Sequence, residues 1–99
     1  MDYDTLGYEV KNDVAVVRMN RPDVMNALNT QMRAELTDAF KRAGSEARVA
    51  VLTGSGKSFC SGQDLGDRAT LANLDLERVL RDEYVPMLRA IIDCPVPTI

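Results

Sequence analysis

Between Val14 and Thr53 the apolar residues change period twice, and this change constrains the fold more than any other feature of the chain. Val14-Ala15-Val16-Val17-Arg18-Met19 is rich in residues that suit a pleated, half-buried strand. Met32, Leu36, Ala39, Phe40 and Ala43 then recur at spacings of four, three, one and three, which is one face of an α-helix. Val49-Ala50-Val51-Leu52 is continuously apolar, as suits a strand covered on both sides. Strand, helix, strand is a βαβ crossover. Such a unit closes right-handed on a parallel sheet. The fold class expected is therefore α/β.

The flanking residues sharpen the elements. Tyr8-Glu9-Val10-Lys11 alternates, and Asn12-Asp13 separates it from Val14, which predicts a β-hairpin. Asn20-Arg21-Pro22-Asp23 ends the strand, because proline and its neighbours resist continuing it. Asn29 or Thr30 is placed to cap the helix. Arg33, Glu35, Asp38, Lys41 and Arg42 are expected on its polar face, and Gly44 at its end. Gly54-Ser55-Gly56 reads as a loop, and Gly66 to Ala72 as a small, polar, mobile segment.

A second helical stripe follows in Leu76, Val79, Leu80, Tyr84, Met87, Leu88, Ile91 and Ile92. Pro86 inside it predicts a kink, or two helices with Pro86 near the start of the second. Cys94-Pro95-Val96-Pro97-Thr98-Ile99 reads as the approach to a strand. The sheet then lacks its next member, so residues 1–99 are expected to be the N-terminal part of a single larger domain.

Composition excludes several functions. The net charge is −3, so no general attraction to nucleic acid or an anionic membrane is indicated. No run of 18 apolar residues is present. The acidic start Met1-Asp2-Tyr3-Asp4 is unlike a signal peptide, and cytoplasmic residence is expected. The two cysteines, Cys60 and Cys94, are expected to be free thiols. There is no histidine, which argues against zinc and excludes Ser–His and Cys–His mechanisms within these residues.

Chemistry concentrates in Lys57-Ser58-Phe59-Cys60-Ser61-Gly62-Gln63-Asp64-Leu65, behind the apolar run Val49 to Thr53. A buried strand that empties into a small-residue loop can present backbone N–H groups to a developing oxyanion.

Three segments together resemble one family. Asn20-Arg21-Pro22-Asp23-Val24-Met25-Asn26-Ala27-Leu28 resembles the "NRP…NAL" segment of the enoyl-CoA hydratase/isomerase, or crotonase, superfamily. Val51-Leu52-Thr53-Gly54 with Phe59-Cys60-Ser61-Gly62-Gln63-Asp64-Leu65 resembles its "LTG…F(C/S)(A/S)GxDL" segment. Pro95-Val96-Pro97-Thr98-Ile99 resembles the entry to its next strand. Within the superfamily, "FCSGQDL" with Asp67-Arg68 looks most like ring-1,2-epoxyphenylacetyl-CoA isomerases and neighbouring hydratases.

The resemblance implies the N-terminal part of a crotonase-type ββα spiral that binds an acyl-CoA thioester. It implies enoyl-CoA hydration, with isomerisation or non-catalytic acyl-CoA binding as alternatives. No cofactor is implied, since coenzyme A is part of the substrate, and trimers or hexamers are the implied assemblies. The backbone N–H of Gln63 matches one of two oxyanion donors. Val24, Ala27, Ser61, Gly62, Asp64 and Leu65 match residues of the coenzyme A groove. Lysines that some relatives carry for the phosphate are missing, and Lys57, Arg21 or Arg68 could stand in. The second donor and the acid/base carboxylates are implied beyond Ile99.

Several of these residues also have structural readings. Gly62 can serve a turn with positive φ. Asp64 can cap a helical turn or bind nearby N–H groups. Asp82 and Glu83 face an acyl pocket only if Pro86 bends its helix inward. Tyr84 and Met87 suit core packing, Asn26 suits a turn fastener, and Cys60 suits packing.

Overall fold

The computed structural model describes residues 3–64 and 76–99, with the backbone alone for Leu76. Strands β1 (Leu6–Lys11) and β2 (Val14–Met19) pair antiparallel, with Leu6 opposite Met19 and Lys11 opposite Val14. Asn12 and Asp13 turn the chain at φ 53° and 66°. A two-residue hairpin of this twist needs both central residues left-handed, and short polar side chains tolerate that region best. β1 begins two residues ahead of the alternation at Tyr8, because Gly7 carries no pattern signal.

Helix α1 (Thr30–Glu46) crosses from β2 to β3 (Val49–Gly54), and β3 lies parallel to β2 in the order β1-β2-β3. Asn29 is the cap: its side chain accepts the Met32 N–H at 2.8 Å, satisfying one of the donors a helix start leaves open. On the far edge of β3, Ala50 bridges Thr98 in parallel. Ala50 donates to Pro97 O and accepts from Ile99 N, both at 2.9 Å. The expected strand approach is therefore docked beside β3.

The core lies between the sheet and α1. Leu6, Ala15, Val17, Met19 and Ala50 meet Met32, Leu36, Ala39, Phe40 and Ala43. Each large apolar side chain so buried contributes about 1.5–3 kcal/mol. The opposite face carries Val14, Val16, Val49 and Val51, which stay half-exposed. Cover on both sides of β3 was expected; among the described residues it is found on one.

Two expectations for α1 are corrected. Gly44 does not end the helix, which runs on to Glu46 with Ala47 as its cap. Arg33 and Glu35 do not belong to a solvated face, because both are buried. Glu35 receives the N–H groups of Asp4 and Thr5 at 2.9 and 2.8 Å and the Thr5 hydroxyl at 2.7 Å. It ties the start of the chain to α1.

The second stripe forms α2 (Leu76–Val79), a π-helical turn (Leu80–Tyr84) and α3 (Val85–Ile92), in direct succession. Pro86 falls in the first turn of α3, and Val85 N–H reaches back to Leu80 O. The wider turn accommodates a residue that has no N–H to give and whose ring crowds the preceding turn. The stripe is only partly buried: Val79 and Met87 are inside, whereas Leu80, Leu88 and Ile92 are exposed. Eight apolar positions span more of the helix surface than the core contacts.

Candidate functional site

The loop after β2 is built by local sequence. Pro22 opens a single 3-10 turn (Pro22–Val24), since its fixed φ suits a first helical position. Met25 and Asn26 follow, both at φ 56°. This double left-handed step reverses the chain toward Leu28.

Asn26 is completely buried and joins two loops. Its Oδ1 accepts the Arg21 N–H at 2.8 Å, and its Nδ2 donates to Ser55 O and Ser58 O at 2.9 Å each. Both amide hydrogens are thus spent on protein carbonyls. The turn-fastening role is realised, and it reaches across to the second loop as well.

The two loops then run side by side. Ser61 N–H donates to Met25 O at 3.0 Å, Leu28 N–H to Gly62 O at 2.6 Å, and Asp64 N–H to Leu28 O at 2.9 Å. Leu28 and Gln63 form a parallel bridge. In such a bridge the flanking residues, Gly62 and Asp64, face Leu28, and Gln63 directs its own N–H to the opposite side. Gly62 stands at φ 108°, a conformation that side chains disfavour. A Cβ there would meet nothing within 4 Å, so backbone conformation, not crowding, requires the glycine.

The other predicted site residues divide. Val24 and Ser61 are exposed, beside the exposed apolar side chains of Met25 and Phe59. Ala27 is buried, and its carbonyl accepts from Arg21 Nη1. Asp64 pairs with that same Arg21 Nη1 at 2.8 Å. The partner shown for the Asp64 carboxylate is thus a guanidinium 43 positions away, where a helical cap or local N–H groups were expected. Arg21 is correspondingly engaged with protein, whereas Lys57 is exposed. Leu65, Gly66, Asp67 and Arg68, and the segment to Ala72, lie outside the described residues.

The principal group that pattern reading missed is Arg33. Its side chain is 0% exposed and pairs with Glu83, Nη2 to Oε1 at 2.8 Å and Nε to Oε1 at 3.0 Å. Nη1 donates to Leu28 O and Tyr84 Oη, each at 3.1 Å, and stands 3.5 Å from Gln63 Oε1. The guanidinium also lies 4.6 Å from the centre of the Tyr84 ring. The Tyr84 hydroxyl donates to Gln63 Oε1. A signal was available: Arg33, Leu36 and Phe40 share helical spacing, so Arg33 sits on the apolar stripe.

Glu83 is thereby committed to Arg33. With Asp82 it borders an open cleft of about 280 Å³ that Thr30, Ala34, Thr37 and Pro86 complete. Tyr84 and Met87 pack with the core as expected, and Tyr84 adds the bond to Gln63. Cys60 and Cys94 are free thiols, and Cys94 Sγ contacts Phe40 O at 3.8 Å. Among the described residues no three His, Cys, Asp or Glu side chains are grouped to hold a metal. No helix among them is long and apolar enough to cross a membrane.

Known proteins resemble this chain in sequence and in fold. The profile of the family described as enoyl-CoA hydratase/isomerase matches residues 9–99. A "Probable enoyl-CoA hydratase" of Rhodobacter capsulatus is 58% identical over the whole chain, which spans 38% of that protein. The 1,2-epoxyphenylacetyl-CoA isomerase of Escherichia coli is 35% identical over 91% of the chain, which spans 36% of it. Among solved structures, an enoyl-CoA hydratase/isomerase from Mycobacterium paratuberculosis superposes with a TM-score of 0.86 at 26% identity, covering 99% of this chain and 41% of that one. The chain thus spans well under half the length of these relatives. A profile match over residues 9–99, nearly the full sequence, means that the chain belongs to the enoyl-CoA hydratase/isomerase family.

Proposed function

We propose that the protein carrying this chain processes acyl-CoA thioesters, and that its reaction is the hydration of a 2-enoyl-CoA. The observation that carries this reading is the Leu28–Gln63 bridge, which turns the Gln63 N–H away from the neighbouring loop. A thioester oxygen seated there would receive a fixed hydrogen bond as negative charge grows on it. A donor already in place needs no reorganisation during the reaction. The 58% identity to a protein named as a hydratase supports the same choice.

Val24, Ala27, Ser61, Gly62, Asp64 and Leu65 would form part of the coenzyme A groove. Val24 and Ser61 would offer exposed surface. Ala27 and Asp64, held by Arg21, would shape the wall. Coenzyme A enters as part of the substrate, with no separate cofactor. A cytoplasmic homo-trimer or hexamer is the assembly proposed for the complete protein. The second reading is an isomerase acting through the same stabilised charge, favoured by the 35% identity to the epoxyphenylacetyl-CoA isomerase.

The test uses the complete protein. Crotonyl-CoA hydration is followed by loss of the conjugated thioester absorbance, and an epoxyphenylacetyl-CoA substrate is assayed beside it. Turnover of crotonyl-CoA that a folded Gln63→Pro variant loses supports the hydratase reading. Turnover of the epoxide alone selects the isomerase. Acyl-CoA binding with no turnover of either would leave a binding module and overturn the enzymatic proposal.

A further inference from the structure

We infer, on the reading of Gln63 as an oxyanion donor, that Arg33 is a positioning residue for the Gln63 backbone N–H, acting with Tyr84 through a partly buried relay. Arg33 occupies a helix position that Leu36 and Phe40 mark as apolar, and its side chain is fully buried. Packing alone gives no reason for a guanidinium at this place. A well-packed apolar replacement for a buried ion pair is often neutral or stabilising. An apolar side chain cannot, however, donate to several carbonyl oxygens at once.

Those donations converge on the bridge that orients Gln63. Leu28 O accepts two hydrogen bonds, from Asp64 N–H at 2.9 Å and from Arg33 Nη1 at 3.1 Å. The first belongs to the bridge itself, and the second braces the same oxygen from α1. Gln63 is then held a second way, through its side chain. Tyr84 donates to Gln63 Oε1 and accepts from Arg33 Nη1 at 3.1 Å. Glu83 fixes the guanidinium from the π-helical turn at 2.8 Å. One planar fork therefore links Leu28, Gln63 and the turn at Glu83 and Tyr84, three segments far apart in sequence. A planar fork with five donors is the side chain suited to such a junction. Its effect at the site is to restrain the peptide between Gly62 and Gln63, and with it the direction of the Gln63 N–H.

The test measures that hydrogen bond directly in the complete protein. The probe is butyryl-CoA labelled with carbon-13 at the thioester carbonyl, observed by its carbonyl stretch when bound. The variants are Tyr84→Phe, which deletes one hydroxyl, and the pair Arg33→Met with Glu83→Leu, which exchanges the ion pair for apolar volume. In the wild type the stretch is expected at lower frequency than in free butyryl-CoA. In the paired variant that shift shrinks, and kcat for crotonyl-CoA falls about 10- to 100-fold, as displaced catalytic geometry does. KM stays within about threefold, since a group acting in the transition state changes kcat rather than uniform binding. Tyr84→Phe moves both readings in the same direction by less. A wild-type shift that both folded variants retain, with unchanged kcat, overturns the role of Arg33. Absence of the shift in the wild type overturns the reading of Gln63 instead. Should the paired variant not fold, Tyr84→Phe decides alone.

Discussion

A Cβ placed on Gly44 would lie 2.7 Å from Cδ of Pro95. The glycine sits inside α1, where it weakens the helix by about 0.5–1 kcal/mol relative to alanine. Its benefit is the close approach of the Cys94–Pro95 segment. Gly44→Ala is therefore expected to destabilise, by about 1–2 kcal/mol, since an overpacked contact typically costs more than the helix gains. Chemical denaturation measures it. In the double variant with Pro95→Ala the loss should vanish; an alanine that stabilises without the second change would refute the steric account.

Asn26 makes three hydrogen bonds while fully buried. Asn26→Ala leaves the Arg21 N–H and the carbonyls of Ser55 and Ser58 without this partner. A loss of roughly 3 kcal/mol is expected, each buried polar group so abandoned costing about 1–3 kcal/mol. Asn26→Asp should be worse, because the oxygen that replaces Nδ2 would face the carbonyl oxygens of Ser55 and Ser58. Urea unfolding of both variants checks this ordering, and an aspartate as stable as asparagine would contradict it.

Gln63 separates backbone from side chain. Gln63→Pro removes the proposed donor, and a fall of about 10²–10³ in kcat is expected, as for other oxyanion donors. Gln63→Ala keeps the N–H but releases the bonds from Tyr84 and Arg33. Its kcat should fall by about tenfold or less, a small positioning loss. Steady-state kinetics with crotonyl-CoA decides, and equal losses in the two variants would disprove a backbone role.

Glu35 confers a pH dependence on the anchoring of the chain start. Burial pushes its carboxyl up, but hydrogen bonds from Gln31, the Asp4 N–H and Thr5 outweigh burial and hold it below its ordinary value. A carboxyl depressed in the folded state contributes stability that is fully present above its unfolded pKa. That contribution is lost as pH falls through the lowered folded value. Amide exchange at Asp4 and Thr5 should therefore accelerate on acidification through that range, and Glu35→Gln should remove the dependence. Exchange that is indifferent to pH, after correction for intrinsic rates, would count against it.

Much of the fold was legible in the residues themselves. The hairpin followed from Asn12-Asp13, because few side chains accept two successive left-handed positions. The buried face of α1 followed from Met32, Leu36, Ala39, Phe40 and Ala43, because a helix repeats its faces at fixed intervals. Pro86 announced a disturbance but not its form, since a π-helical turn and a kink answer the same missing N–H.

The site was legible only as two loops. The motifs named Asn20 to Leu28 and Phe59 to Leu65, and chain order alone could not show the two loops hydrogen-bonded to each other. Glu35 and Asp64 carry charges whose partners lie about 30 and 43 positions away in sequence. Nothing local distinguishes such a carboxylate from a solvated one.

The sequence by itself determined which segments become strand, helix and turn, because those choices depend on neighbours within a few residues. Only the tertiary structure decided that Gly44 admits Pro95 and that Asn26 joins two loops. It alone gathered Glu83, Tyr84 and Gln63 around the buried Arg33 guanidinium. The physical reason is desolvation: a polar group shut away from water must find a partner in space, and the chain brings that partner close only when it folds.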